Sequence, residues 1–207
     1  MKNYFQYSDY LKNIGQIKKS LKDDGFFVIR NFFSDEDIKK MILLCDDFCK
    51  ESVGVPFVHD LIRYDKIRRY AFQKDLIKLM TLLIGNDDLY YFGDSTIHFE
   101  PNKRIFHTDA RPEGFVEKYR NYPIFRVGIY LQDHFNHSGG LKLRKGSHNK
   151  MIYNKQNIKG LIKKKFKVHS IKSLFNIGRV VNLKSKTGDL AIWNIKVEHS
   201  GGAVIPK

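Results

Sequence analysis

At Gly85 the chain changes its hydrophobic rhythm. Before it, apolar residues recur at helical spacing. After it, they come in short alternating or aromatic-rich runs cut by glycine and polar turns. "SDYLKNIGQIKKSLKDDG" reads as a helix capped by Ser8 or Asp9, with Leu11, Ile14, Ile17 and Leu21 on one face and Gly25 as its stop. "FFVIRNFF" reads as an apolar strand. Ser34, followed by Asp35, Glu36 and Asp37, opens an acid-started helix that Ile38, Met41, Cys45 and Phe48 continue. An irregular stretch follows, and "FQKDLIKLMTLLIG" is a further helix with a glycine exit. Beyond it, "DLYYFGDSTIHFE", "FRVGIYLQD", "GGLKLRKGSH", "GRVVNLKSKTGDLAIWN" and "KVEHSGGAVI" are all β-like. Helices first and strands afterwards argue against alternating β-α units. They predict a mainly β fold with helices packed outside a sandwich or barrel.

The chain has 207 residues, 42% of them hydrophobic, with 16 Phe and 11 Tyr, which suits one domain over 1–207. Its expected parts are a helical segment, 1–85, and a β core, 86–207, interrupted by a basic insertion at 150–178. Cys45 and Cys49 lie one helical turn apart, a poor geometry for a disulfide, and a zinc site lacks further partners. The N-terminal stretch has no long apolar run, so neither a signal peptide nor a membrane span is expected, and a cytoplasmic location follows.

The formal net charge of +15 is concentrated in one region. Residues 1–140 carry 21 Lys/Arg against 20 Asp/Glu, whereas residues 141–186 carry 14 Lys/Arg and no acid. Such a segment is either a solvated lysine-rich surface or a rim for an anionic partner. Lysine dominates it and no aromatic-interleaved stacking pattern appears, which argues against nucleic acid.

Four elements then occur in order: "LKDDGFFVIRNFFSDEDIKKM", the pair His107-Thr108-Asp109, "RVGIYLQDHFNHSGGLKLRKGSH", and "GDLAIWNIKVEHSGG" with His199 six residues after Trp193. From about residue 20 onward this series resembles the phytanoyl-CoA dioxygenase-like family of Fe(II)- and 2-oxoglutarate-dependent oxygenases. No single element is specific; their joint order is. The resemblance implies a double-stranded β-helix (a cupin-like jelly roll) and a metal set of His107, Asp109 and His199. Two imidazoles and one carboxylate on one face of Fe(II) leave three positions open. The resemblance fills these with 2-oxoglutarate and O2, and implies hydroxylation of a C–H bond with release of succinate and CO2. Related halogenases carry a small residue where Asp109 stands, so the carboxylate favours hydroxylation. The implied substrate is small or carrier-tethered, with an anionic one suggested by the basic segment. The contrasting reading is a catalytically impaired member that binds an anionic partner through residues 141–186. A cupin-like metalloenzyme without 2-oxoglutarate is a third. His98-Phe99-Glu100 is a rival His-x-Glu pair, placed one strand too early for the family's pattern.

Family members carry an arginine on the last barrel strand, past the distal histidine, whose fork pairs with the far carboxylate of 2-oxoglutarate. The sequence stops at Lys207, eight residues after His199, so that last strand is expected to be missing and another cation to serve. Arg126 is the best substitute. Alternation puts it on one face of its strand with Gly128 and Tyr130, and Phe125, Val127 and Ile129 on the other. Lys142 and Arg144 are weaker candidates, and Tyr90, Thr96 and Ser200 are expected to add hydrogen bonds to the cosubstrate. Trp193 reads as core or pocket wall, and His148 as a turn residue. The segment after Asp109 is a candidate lid, in which Arg111, Arg120 and Tyr122 would meet an anionic substrate.

Overall fold

Phe26–Arg30 is buried on both of its faces, and the rest of the fold is arranged around it. In the computed structural model, which describes residues 3–51, 57–59, 61–92, 95–98, 105–110, 122–134, 140–149 and 178–201, it is the second strand. In chain order the elements are β1 (Tyr4–Gln6), α1 (Ile14–Asp23), β2 (Phe26–Arg30), α2 (Asp35–Glu51), β3 (Phe57–His59), α3 (Asp65–Ala71), α4 (Lys74–Ile84), β4 (Thr96–His98), β5 (Phe125–Ile129), β6 (Leu141–Arg144), β7 (Val180–Leu183), β8 (Leu190–Asn194) and β9 (His199–Gly201). One sheet has the order β1-β2-β8-β5, a second β7-β6-β9, and β3 pairs with β4 in a two-stranded ribbon.

The period-2 geometry of β2 and β8 divides the core into two. Phe27, Ile29, Leu190 and Ile192 face Ile17, Ile38, Met41, Leu76 and Leu79 from the helices. Phe26, Val28 and Ala191 face Leu143 and Leu183 of the other sheet, with Val197 between them. Each such large apolar side chain stabilises the fold by about 1.5–3 kcal/mol when fully buried. The helices thus cover one face of the first sheet, and its other face packs on the second sheet. This is the mainly β, double-stranded β-helix arrangement with helices outside that the sequence predicts.

Local chemistry explains the boundaries. The Ser34 Oγ accepts the Asp37 backbone N–H at 3.1 Å and so caps α2. Gly85, at φ +79°, closes α4 in the left-handed conformation. Gly188, at φ +83°, starts β8, and its carbonyl accepts the N–H groups of Phe32 and Phe33. The adjacent Asp189 is fully buried; it accepts from the backbone N–H of Asn31 and Lys186 and pairs with Arg30. Cys45 is buried and not in a disulfide.

Three elements differ from expectation. The first helix begins at Ile14 rather than at Ser8 or Asp9, because Tyr7 and Tyr10 stack on each other and both pack against Phe32. β1 pairs in parallel with β2, a tertiary contact that three residues cannot announce. The stretch expected to be irregular contains β3 and the short helix α3. The basic insertion and the expected loss of a last strand fall on residues 150–177 and 202–207, outside the described residues. No helix among the described residues is long and apolar enough to cross a membrane.

Candidate metal centre

β9 sets the position of His199. Its backbone exchanges both hydrogen bonds with His107, His107 N–H to the His199 carbonyl at 2.9 Å and the reverse at 2.8 Å. Two residues on, the N–H groups of Asp109 and Ala110 both reach the Ile195 carbonyl, at 3.0 and 3.2 Å. The chain carrying the His-x-Asp pair is therefore fixed by main-chain bonds to the segment that ends in His199. Leu143 pairs with His199 in register and faces the inter-sheet core, so His199 faces inward as well.

The side chains converge. His107, Asp109 and His199 each offer one ligand atom, all within 4.8 Å of one another. Asp109 Oδ2 lies 3.5 Å from His199 Nε2, and Oδ1 lies 3.9 Å from His107 Nε2. Adjacent ligands of a six-coordinate ion with bonds of about 2.1 Å stand about 3 Å apart, so small side-chain rotations suffice. The other ring nitrogens decide the tautomer. His107 Nδ1 is 2.9 Å from the Ile105 carbonyl and His199 Nδ1 is 3.0 Å from the Val197 carbonyl. A carbonyl only accepts, so each Nδ1 carries the proton and each Nε2 keeps a lone pair for a metal. Burial pushes the His199 imidazole below its usual value, against the pull of the Asp109 carboxylate, which favours the neutral ring. The donor set fits a facial 2-His-1-carboxylate site.

Arg126 enters from β5, where its Nε donates to Asp109 Oδ2 at 2.9 Å. Its alternation is as expected: Phe125 and Ile129 pack on the helix-side core, and Tyr130 on the inter-sheet core. Trp193, the register partner of Arg126, lies with its ring centroid 5.8 Å from that of His199. A Cβ at Gly128 would stand 3.1 Å from the indole, so glycine there lets the ring lie against β5.

Other expected site residues are placed elsewhere. Ser200 pairs with Lys142 on the face of the second sheet opposite His199, because successive strand residues alternate. Neither therefore shares the triad's face. Arg144, on that same face, is buried and 2.9 Å from Glu198, and its guanidinium lies over Phe106. It braces Phe106 and Glu198, the chain neighbours of two candidate ligands. Tyr90 is 80% exposed, which gives its hydroxyl no enclosed site. Thr96 sits in the β3–β4 ribbon opposite His59. Tyr122 is exposed, and His148 holds the Lys22 carbonyl as a turn residue. Arg111, Arg120 and Glu100 lie outside the described residues, as does the side chain of His98.

Sequence reasoning missed the support around His199. Ser147 Oγ accepts the Glu198 N–H at 2.8 Å and donates to the Arg144 carbonyl at 2.8 Å. The signal was present as the acid between Val197 and His199 in "VEHSGG" and the arginine in "LKLRKGSH".

Comparison with solved structures places this architecture. The nogalamycin-biosynthesis epimerase SnoN, a non-heme α-ketoglutarate-dependent enzyme, superposes with a TM-score of 0.69 over 93% of this chain and 76% of its own, at 14% identity. The fold is shared with this enzyme. The carbocyclase SnoK gives a TM-score of 0.68, 15% identity and coverages of 91% and 77%. EctD from S. alaskensis with bound Fe gives 0.68, 14% identity, 92% and 71%. No family model and no curated protein sequence matches the chain. At these identities the likeness establishes the fold, and the chemistry rests on the residues described above.

Proposed function

We propose that this chain is a single-domain Fe(II)- and 2-oxoglutarate-dependent dioxygenase of the phytanoyl-CoA dioxygenase-like kind. In this reading it hydroxylates a C–H bond of a small or carrier-tethered, anionic substrate. The observation that carries it is the paired imidazole geometry: both histidines commit Nδ1 to a carbonyl two residues back, and both turn Nε2 toward the Asp109 carboxylate. Structures of the same fold hold Fe and 2-oxoglutarate, among them SnoN with Fe3+ and α-ketoglutarate and EctD with 2-oxoglutarate and 5-hydroxyectoine.

His107, Asp109 and His199 would hold the iron, which with 2-oxoglutarate and O2 supplies the oxidising power to convert C–H to C–OH, yielding succinate and CO2. The residues of the chain position and tune. Arg126 holds Asp109 Oδ2, which fixes the carboxylate's rotamer, and it brings positive charge beside the ligands where an anionic cosubstrate would bind. Asp109 occupies the position that would have to be small to admit a halide, which favours hydroxylation. Leu143, the register partner of His199, belongs to the inter-sheet apolar core with Phe26, Val28 and Val197.

Anaerobic titration of the apoprotein with Fe(II) and then 2-oxoglutarate tests the reading. A weak visible charge-transfer band and succinate formation on admitting O2 are expected. If neither appears, the assignment is wrong.

A further inference from the structure

Trp193 has a polar atom that the fold does not satisfy. Its Nε1 is buried and has no hydrogen-bond partner among the described residues. An indole N–H only donates, and a buried donor left unpaired is costly. The ring's Cζ3–Cη2 edge is set against Gly128, so the Nε1 edge is turned away from that glycine. The same ring stands T-shaped to His199, and its cross-strand partner is Arg126, which holds Asp109. The Trp193 side chain and the Arg126 guanidinium are thus cross-strand neighbours on one face of the first sheet, each next to a different member of the triad. That pair selects an oxyanion.

The geometry points to Trp193 as a cosubstrate-binding residue: its Nε1–H donates to a carboxylate oxygen of a 2-oxo acid held at the His107–Asp109–His199 centre. This rests on the proposed metal-dependent function and adds to it a residue that discriminates the anion. Glycine at 128 is part of the device, since a side chain there would displace the indole.

Trp193 is the single tryptophan of the chain, so its emission reports on the site alone. The test uses the full chain loaded with Mn(II), titrated with 2-oxoglutarate and with pyruvate by calorimetry and by tryptophan emission, alongside Trp193→Phe. In the wild type, 2-oxoglutarate is expected to shift the emission with the same Kd as the heat of binding. In W193F its Kd should rise about tenfold, with the Mn(II) Kd unchanged within a factor of two. A matching loss with pyruvate assigns the bond to the metal-side carboxylate; a loss confined to 2-oxoglutarate assigns it to the far one. Unmoved emission despite measurable binding overturns the assignment, as does unweakened binding in W193F or an equal loss of Mn(II) affinity. A wild-type protein that binds Mn(II) but no 2-oxo acid overturns the proposed function and this assignment with it.

Discussion

His107 and His199 are joined through their backbones, N–H to carbonyl in both directions, at 2.9 and 2.8 Å. Their imidazoles are therefore brought together by main-chain bonding that does not depend on the side chains. The variants His107→Ala and Asp109→Ala should melt within a few degrees of the wild type while Fe(II) or Mn(II) affinity falls by about 100-fold or more. Circular dichroism melts and metal calorimetry check this. A collapse of the melting temperature would show that the side chains hold the site together.

Arg126 offers a different separation. Removing a group that orients a metal ligand costs about 10–100-fold in metal affinity. Arg126→Gln should weaken Mn(II) binding by about tenfold, and Arg126→Lys should recover part of it, since lysine keeps the charge but loses the directed Nε–H. Metal titration of the apo variants decides it, and equal affinities for all three would leave Arg126 without an orienting role.

Arg144 and Glu198 are buried together, and a buried pair punishes the loss of one member more than the loss of both. Glu198→Ala should cost about 3–5 kcal/mol in urea unfolding, whereas the double replacement R144M/E198L should recover most of that loss. Equal destabilisation by the single and double variants would mean that the ion pair is not what strands the arginine.

The Tyr7 hydroxyl donates to Asp75 Oδ2 at 2.6 Å, and this bond, with burial and the aspartate's charge, pushes its ionisation up to about 12. An unfolded tyrosine ionises near 10. The stabilisation is thus complete below about pH 10 and is lost as the pH rises toward 12. In Tyr7→Phe the urea midpoint should fall less steeply than in the wild type across that interval. Parallel slopes would contradict the assignment.

The legible part of this protein was the part written in short periods. Gly85, the acid-started helix at Ser34 and the alternation of β5 follow from local rules, and the structure obeys them. The His-x-Asp pair and His199 were legible through their order along the chain. What stayed hidden depended on distant partners. β1 exists because β2 lies beside it. Ser200 was expected as a hydroxyl donor to the cosubstrate, and strand alternation places it on the face opposite His199. Arg144 looked like a free cation until the fold put Glu198 beside it.

The candidate centre straddles a seam. His199 belongs to the β7-β6-β9 sheet, while Arg126 belongs to the β1-β2-β8-β5 sheet and reaches the centre through Asp109. An ion bound by His199 and Asp109 would act as a clasp between two layers that also meet through the apolar contacts of Phe26, Val28, Leu143 and Val197. Occupancy would then be felt throughout the sandwich: saturating metal should slow proteolysis of the whole β region, and a chelator should unfasten it.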